Sequence, residues 1–174
     1  MEINQVQRYM IVNQLKILEK LYPEEKEYYQ VDRKAFEEGY QLHYKEILNQ
    51  TVSEDELTPE QCREVIDILN MYRSITFSHM KLDEDDRKEV NEHGSIKFKG
   101  FDGNDEYEVK CLLYTRYFIV DLDRFQELIE DKKYPDFNSH WPMIERYREM
   151  LSIYKGYDTT ILTKEMIINL IGRS

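Results

Sequence analysis

The chain has 174 residues, a net charge of −11, 34% charged and 41% hydrophobic side chains, and only six glycines and four prolines. That length suits one domain, residues 1–174, able to bury a sizeable core without disulfides or metal. The acidic balance disfavours nucleic acid and anionic membrane surfaces as partners, and few breakers beside many charges favour a helical protein.

The first helix is expected from Ile3 to Tyr22, where Val6, Met10, Ile11, Leu15, Leu18 and Leu21 recur at helical spacing. Asn4 is placed to cap it, and Pro23 pushes the preceding residue out of the helical region. Residues 24–49 continue as helix, with Gly39 marking a break or a close contact. An acidic turn spans Ser53 to Leu57. LTPEQCREVIDILNMYRSI then holds the clearest helix start: Thr58 as N-cap, Pro59 at the first helical position and Gln61 completing a capping box, with the helix running to about Met80.

The charged stretch LDEDDRKEVNEHG reads as a solvated helix or connection ended by Gly94. In SIKFKGF, apolar and basic residues alternate, so residues 95–101 are expected to be extended or a short β segment. Asp102 then opens a run to Val120 that is expected to be a central helix, buried on all sides. For residues 112–120 a strand is the rival, because aromatic and β-branched residues are dense there. A short amphipathic helix on Phe125, Leu128 and Ile129 closes at Tyr134-Pro135. Another starts with Pro142 in its first turn, carries Met143, Ile144, Tyr147, Met150, Leu151 and Tyr154, and ends at Gly156. Thr163 caps a final helix with Met166, Ile167, Leu170 and Ile171. The expected fold is all-α, a multi-helix orthogonal bundle with at most the short segment at 95–101 outside it.

The loop FKGFDGNDE poses the sharpest chemical question. Read as a calcium loop from Asp102, it has Tyr107 where glycine is required and Leu113 where a bidentate glutamate is required. Read as a phosphate loop, its glycines are followed by Asn104, Asp105 and Glu106, which repel phosphate. A helix start remains: Asp102 accepts exposed backbone N–H groups, and Asp105 and Glu106 complement the helix dipole.

No metal site is expected. His43, His79, His93 and His140 form no i, i+4 pair, and Glu-x-x-His does not occur. Cys62 and Cys111, each in an apolar stretch, read as core thiols. Neither a nucleophile elbow nor a nucleotide-binding glycine pattern is present. No catalytic residue, cofactor or metal ligand is therefore assigned. The polar start MEINQVQRYM is unlike a signal peptide, and no run reaches the ~18 apolar residues of a membrane span, so a reduced cytoplasmic location without a membrane partner is expected.

Five stretches carry a resemblance to a known family: NQVQRYMIVNQLKIL, EEGYQLHY, CREVIDILNMYRSI, FKGFD and FNSHWPMIERYREMLSIY. In this order, and over nearly the whole chain, they resemble the YfbU-like family of bacterial proteins. The resemblance implies a compact, mainly helical bacterial protein and supplies no activity, since the family is chiefly known as uncharacterised. One enzymatic alternative comes from RSITFSH. Arg73 and His79, six apart, are similar to the signature of HEPN-type ribonucleases, in which arginine steadies a phosphate and histidine moves a proton. With ten arginines and four histidines, about 0.7 such matches are expected by chance, and the spacing recurs at Arg87 and His93. The favoured function is a self-associating protein-interaction module: fourteen tyrosines and seven methionines suit half-buried faces of a homo-oligomer or of a docked protein partner.

Overall fold

The computed structural model describes residues 2–53, 56–129 and 136–172. Among them the fold is all-α, and the sole strand-like feature is an isolated parallel bridge between Phe101 and Asn138. The chain forms two compact units, residues 1–56 and 57–174.

In the N-terminal unit, α1 spans Gln5–Leu21, α2 Lys26–Glu38 and α3 Gln41–Asn49. The Asn4 side chain accepts from the Gln7 N–H while the Gln7 side chain accepts from the Asn4 N–H, each at 2.9 Å, so the expected cap is a full capping box. Pro23 starts a short 3₁₀ turn that separates α1 from α2. Gly39 ends α2 at φ +80°, the left-handed cap that glycine adopts without strain. Arg8 reaches across from α1 and donates to the Phe36 carbonyl at 2.9 and 2.8 Å, occupying an acceptor left open by the helix end. The core of this unit is small: Val12 and Leu15 meet Phe36 and Tyr44, whose rings stack with centroids 4.6 Å apart.

The C-terminal unit is built on α4, Pro59–His79, which packs against the later helices. Thr58, Pro59 and Gln61 start it as the sequence predicts. α5 spans Glu84–His93, so the charged stretch is helical; Asp83 caps it and Val90 is buried. α6 covers Glu108–Arg116 and runs into a wide π-type turn at Tyr117–Asp121. α7 spans Ile144–Lys155 and α8 Lys164–Ile171, the latter capped by Thr163. Tyr72, Phe98, Phe101 and Tyr147 form an aromatic centre with ring centroids 5.4 to 5.8 Å apart.

Several expectations need correction. The helix expected from Asp102 begins at Glu108, because residues 103–107 turn and the Asp105 carboxylate accepts the Tyr107 and Glu108 N–H groups at 2.9 and 2.8 Å. It is also not buried on all sides: Leu113, Tyr117 and Val120 are exposed. The rivalry over 112–120 resolves to α-helix followed by the π-type turn. Residues 125–129 hold a single 3₁₀ turn at Gln126–Leu128, entered through Phe125 at φ 54°; the expected closure at Tyr134-Pro135 lies outside the described residues, as do Glu54 and Asp55 of the acidic turn. Pro142 precedes α7 rather than sitting in its first turn. Gly156 does cap α7, without a left-handed φ.

Candidate functional site

Arg73 and His79 lie on α4. Six residues along a helix separate two side chains by about 9 Å along the axis and about 120° around it. The Arg73 Nε donates to Glu127 Oε1, and its guanidinium carbon sits 4.0 Å from the centre of the Phe125 ring. The arginine is thus engaged by a carboxylate and an aromatic face. The buried His79 Nε2 has no hydrogen-bond partner among the described residues. His43, His93 and His140 are exposed. Among the described residues no group of three or more His, Cys, Asp or Glu side chains could hold a metal ion.

Cys111 is fully buried, and burial pushes its thiol up to about 11, which keeps it protonated and a poor nucleophile at neutral pH. Cys62 is half-buried, its Sγ 3.9 Å from the Leu57 carbonyl. Near Cys111, the Tyr107 hydroxyl donates to Glu64 at 2.7 Å, and Arg148 grips the same carboxylate with two N–H groups at 2.8 and 3.0 Å. Arg148 holds the Glu64 carboxyl below its ordinary range. Tyr107, Glu64 and Arg148 line a wide hollow of about 500 Å³ with Glu60 and Gln61, and its one cation, Arg148, is already engaged by Glu64.

The glycine loop meets the segment at 137–140 in a polar clasp. Phe101 N–H donates to the Phe137 carbonyl at 2.8 Å, and Ser139 N–H returns to the Phe101 carbonyl at 3.0 Å. Gly100 has φ +82°, and a Cβ there would lie 1.9 Å from the Phe137 oxygen, so only glycine fits. Its carbonyl accepts from the buried Tyr147 hydroxyl at 2.9 Å. Glu108, 1% exposed, completes the clasp: Oε2 accepts Asp102 N–H at 2.7 Å, and Oε1 accepts Met143 and Ile144 N–H at 2.8 Å each. The carboxylate thereby caps α7 from another helix and satisfies donors at its positive end. This loop binds its own chain. Sequence reasoning missed Glu108, which looks like any acid beside a charged turn.

A different feature marks the N-terminal unit. Eleven of the nineteen large apolar side chains left exposed among the described residues lie in its 56 residues. On α1, Val6, Tyr9, Met10, Ile17 and Leu21 are exposed, while Val12 and Leu15 face the core. At 100° per residue the two sets fall on opposite sides of the helix.

Comparison with known proteins bears on this chain as a whole. The family model described as YfbU domain matches residues 1–169. The chain belongs to the YfbU family. The UPF0304 protein MJECS11 of Methanocaldococcus jannaschii is 34% identical over 176 residues, covering 98% of this chain and 99% of that protein. FKGFD and FNSHWPMIERYREMLSIY, two of the five stretches that carry the resemblance, are the ones the clasp joins.

Proposed function

We propose that this YfbU protein is a self-associating interaction module of the cytoplasm, without a catalytic centre of its own, in which a second copy covers the outer face of α1. The observation that carries this reading is the apolar stripe opposite the core. Val6, Met10 and Ile17, with Asn13 between them, recur at steps of four, three and four residues. Such spacing forms a coiled-coil seam, and one polar residue within a seam can fix register. A 56-residue unit with four residues at the centre of its core gains little stability from that core alone. A second copy on the seam would supply the burial it lacks, and a closed two-fold pair is the commonest symmetric solution.

Light scattering at tens of micromolar tests this. The wild-type chain is expected to be a dimer or larger, and Met10→Glu and Ile17→Glu to shift it to monomer with helicity retained. A strictly monomeric wild type, or an assembly indifferent to both changes, overturns the reading. The ribonuclease alternative gains no support from the geometry, because Arg73 is taken up by Glu127 and Phe125. Labelled RNA is expected to stay intact; cleavage abolished by both Arg73→Ala and His79→Ala would replace the module with an enzyme. The reading also treats residues 1–174 as one domain, for which calorimetry should give a single transition rather than two.

A further inference from the structure

Asp32 lies in the middle of α2 and is only 8% exposed. Its carboxylate has no hydrogen-bond or ion-pair partner among the described residues. The nearest cation in sequence, Arg33, is bound to Glu19 and Glu37. Tyr28, one turn earlier, donates its hydroxyl to Gln50. Burial raises the Asp32 carboxyl above its ordinary range with no opposing contribution. The Asp32 oxygens are not among the enclosed polar atoms that lack a partner, so the carboxylate opens to solvent at the hollow it lines.

Asp32 lines a hollow of about 450 Å³ between α2 and α3, within the range of small-molecule sites. Val31, Ala35, Tyr40 and Ile47 give it an apolar wall. Lys34, His43 and Glu46 also line it, with His43 3.8 Å from Glu46. Two carboxylates, Asp32 and Glu46, stand at the hollow with one ammonium, Lys34, and the His43 ring. A ligand with an ammonium group would give Asp32 its missing partner, and a compact hydrocarbon body would bury against the wall.

We propose that this hollow binds a small primary amine bearing a compact apolar group, with Asp32 forming the ion pair to the ammonium. The site lies apart from the α1 seam, and its test reads a separate quantity from self-association. Benzylamine, phenethylamine and isobutylamine serve as probes, with benzyl alcohol as the uncharged control. The readout is the backbone amide shifts of residues 31–35 and 40–47 in the full chain. At least one amine is expected to bind saturably at millimolar concentration or tighter. Asp32→Asn, checked for unchanged helicity, is expected to weaken it at least about tenfold, and benzyl alcohol to bind at least about tenfold more weakly than benzylamine. Absence of saturable shifts with all three amines, equal affinity in Asp32→Asn, or equal affinity for the alcohol overturns the proposal. Light scattering on the same samples reports the oligomeric state, so failure of either idea is read independently of the other.

Discussion

Glu108 accepts the backbone N–H of Ile144 at 2.8 Å, across 36 residues of chain. One buried carboxylate thus starts α7, and its second oxygen holds the glycine loop through Asp102. Removing it strands three backbone donors. Glu108→Ala is therefore expected to cost about 3 kcal/mol. Glu108→Gln should cost less, because its amide oxygen still accepts from α7 while its NH₂ opposes the Asp102 N–H. Urea unfolding followed by circular dichroism measures both; a loss in Glu108→Ala below about 0.5 kcal/mol would contradict the anchoring role.

Two glycines with nearly equal φ should respond differently to alanine. Gly100 (φ +82°) faces the Phe137 carbonyl, with 1.9 Å for a Cβ, whereas the nearest neighbour of Gly39 (φ +80°) is the Arg8 guanidinium at 3.3 Å. Gly39→Ala is expected to cost about 1 kcal/mol, the backbone term alone. Gly100→Ala must also displace backbone, so its loss should exceed that several-fold or prevent folding. Thermal denaturation of the two variants side by side gives the comparison.

Asp32 makes stability depend on pH in the less usual direction. Burial lifts its folded-state value above 3.8, so just above that pH the folded chain keeps a proton that the unfolded chain releases. Stability from this residue is therefore greatest in acid and is lost as pH rises through the lifted value. Asp32→Asn should stabilise the free protein modestly at neutral pH, because it removes the charge that burial disfavours. The advantage should close on acidification to about pH 3, where both states are protonated. Urea midpoints at the two pH values check the sign.

Tyr44 stacks on Phe36, but its buried hydroxyl has no hydrogen-bond partner among the described residues. Tyr44→Phe keeps the stack and removes the cost of the hydroxyl, so it should be neutral or stabilising by up to about 1 kcal/mol. Phe36→Ala, which empties the centre of a small core, should cost about 3 to 4 kcal/mol or unfold the unit. Far-ultraviolet melting curves separate the two outcomes.

Helix starts were legible where the sequence carries local chemistry. Asn4, Thr58 and Thr163 all cap as their side chains predict, because a cap depends only on residues three apart. The break at Gly39 was legible for the same reason. What depends on distant partners was not. Asp102 accepts the Asn104 N–H within the loop, but Asp105 serves the start of α6 and Glu108 the start of α7, since the 137–144 segment decides which acid faces which donor. The π-type turn at 117–121 is held partly by the Gln126 side chain, which donates to the Ile119 carbonyl at 2.6 Å, and no periodic pattern announces it. Asp32 escaped notice because an isolated aspartate in a helix ordinarily points to water, and only the placement of α3 encloses it.

The bridge between Phe101 and Asn138 has a consequence for how the chain matures on the ribosome. Tyr72, Phe98, Phe101 and α6 are made before Phe137, Asn138 and Ser139, which pair with the glycine loop, and before Tyr147, which completes the aromatic centre. Until those residues emerge, the Gly100 carbonyl lacks the Tyr147 hydroxyl and Glu108 holds only the Asp102 N–H. The C-terminal unit therefore locks near the end of synthesis, and a product truncated before Phe137 would be left as an open, sticky intermediate instead of a smaller native form.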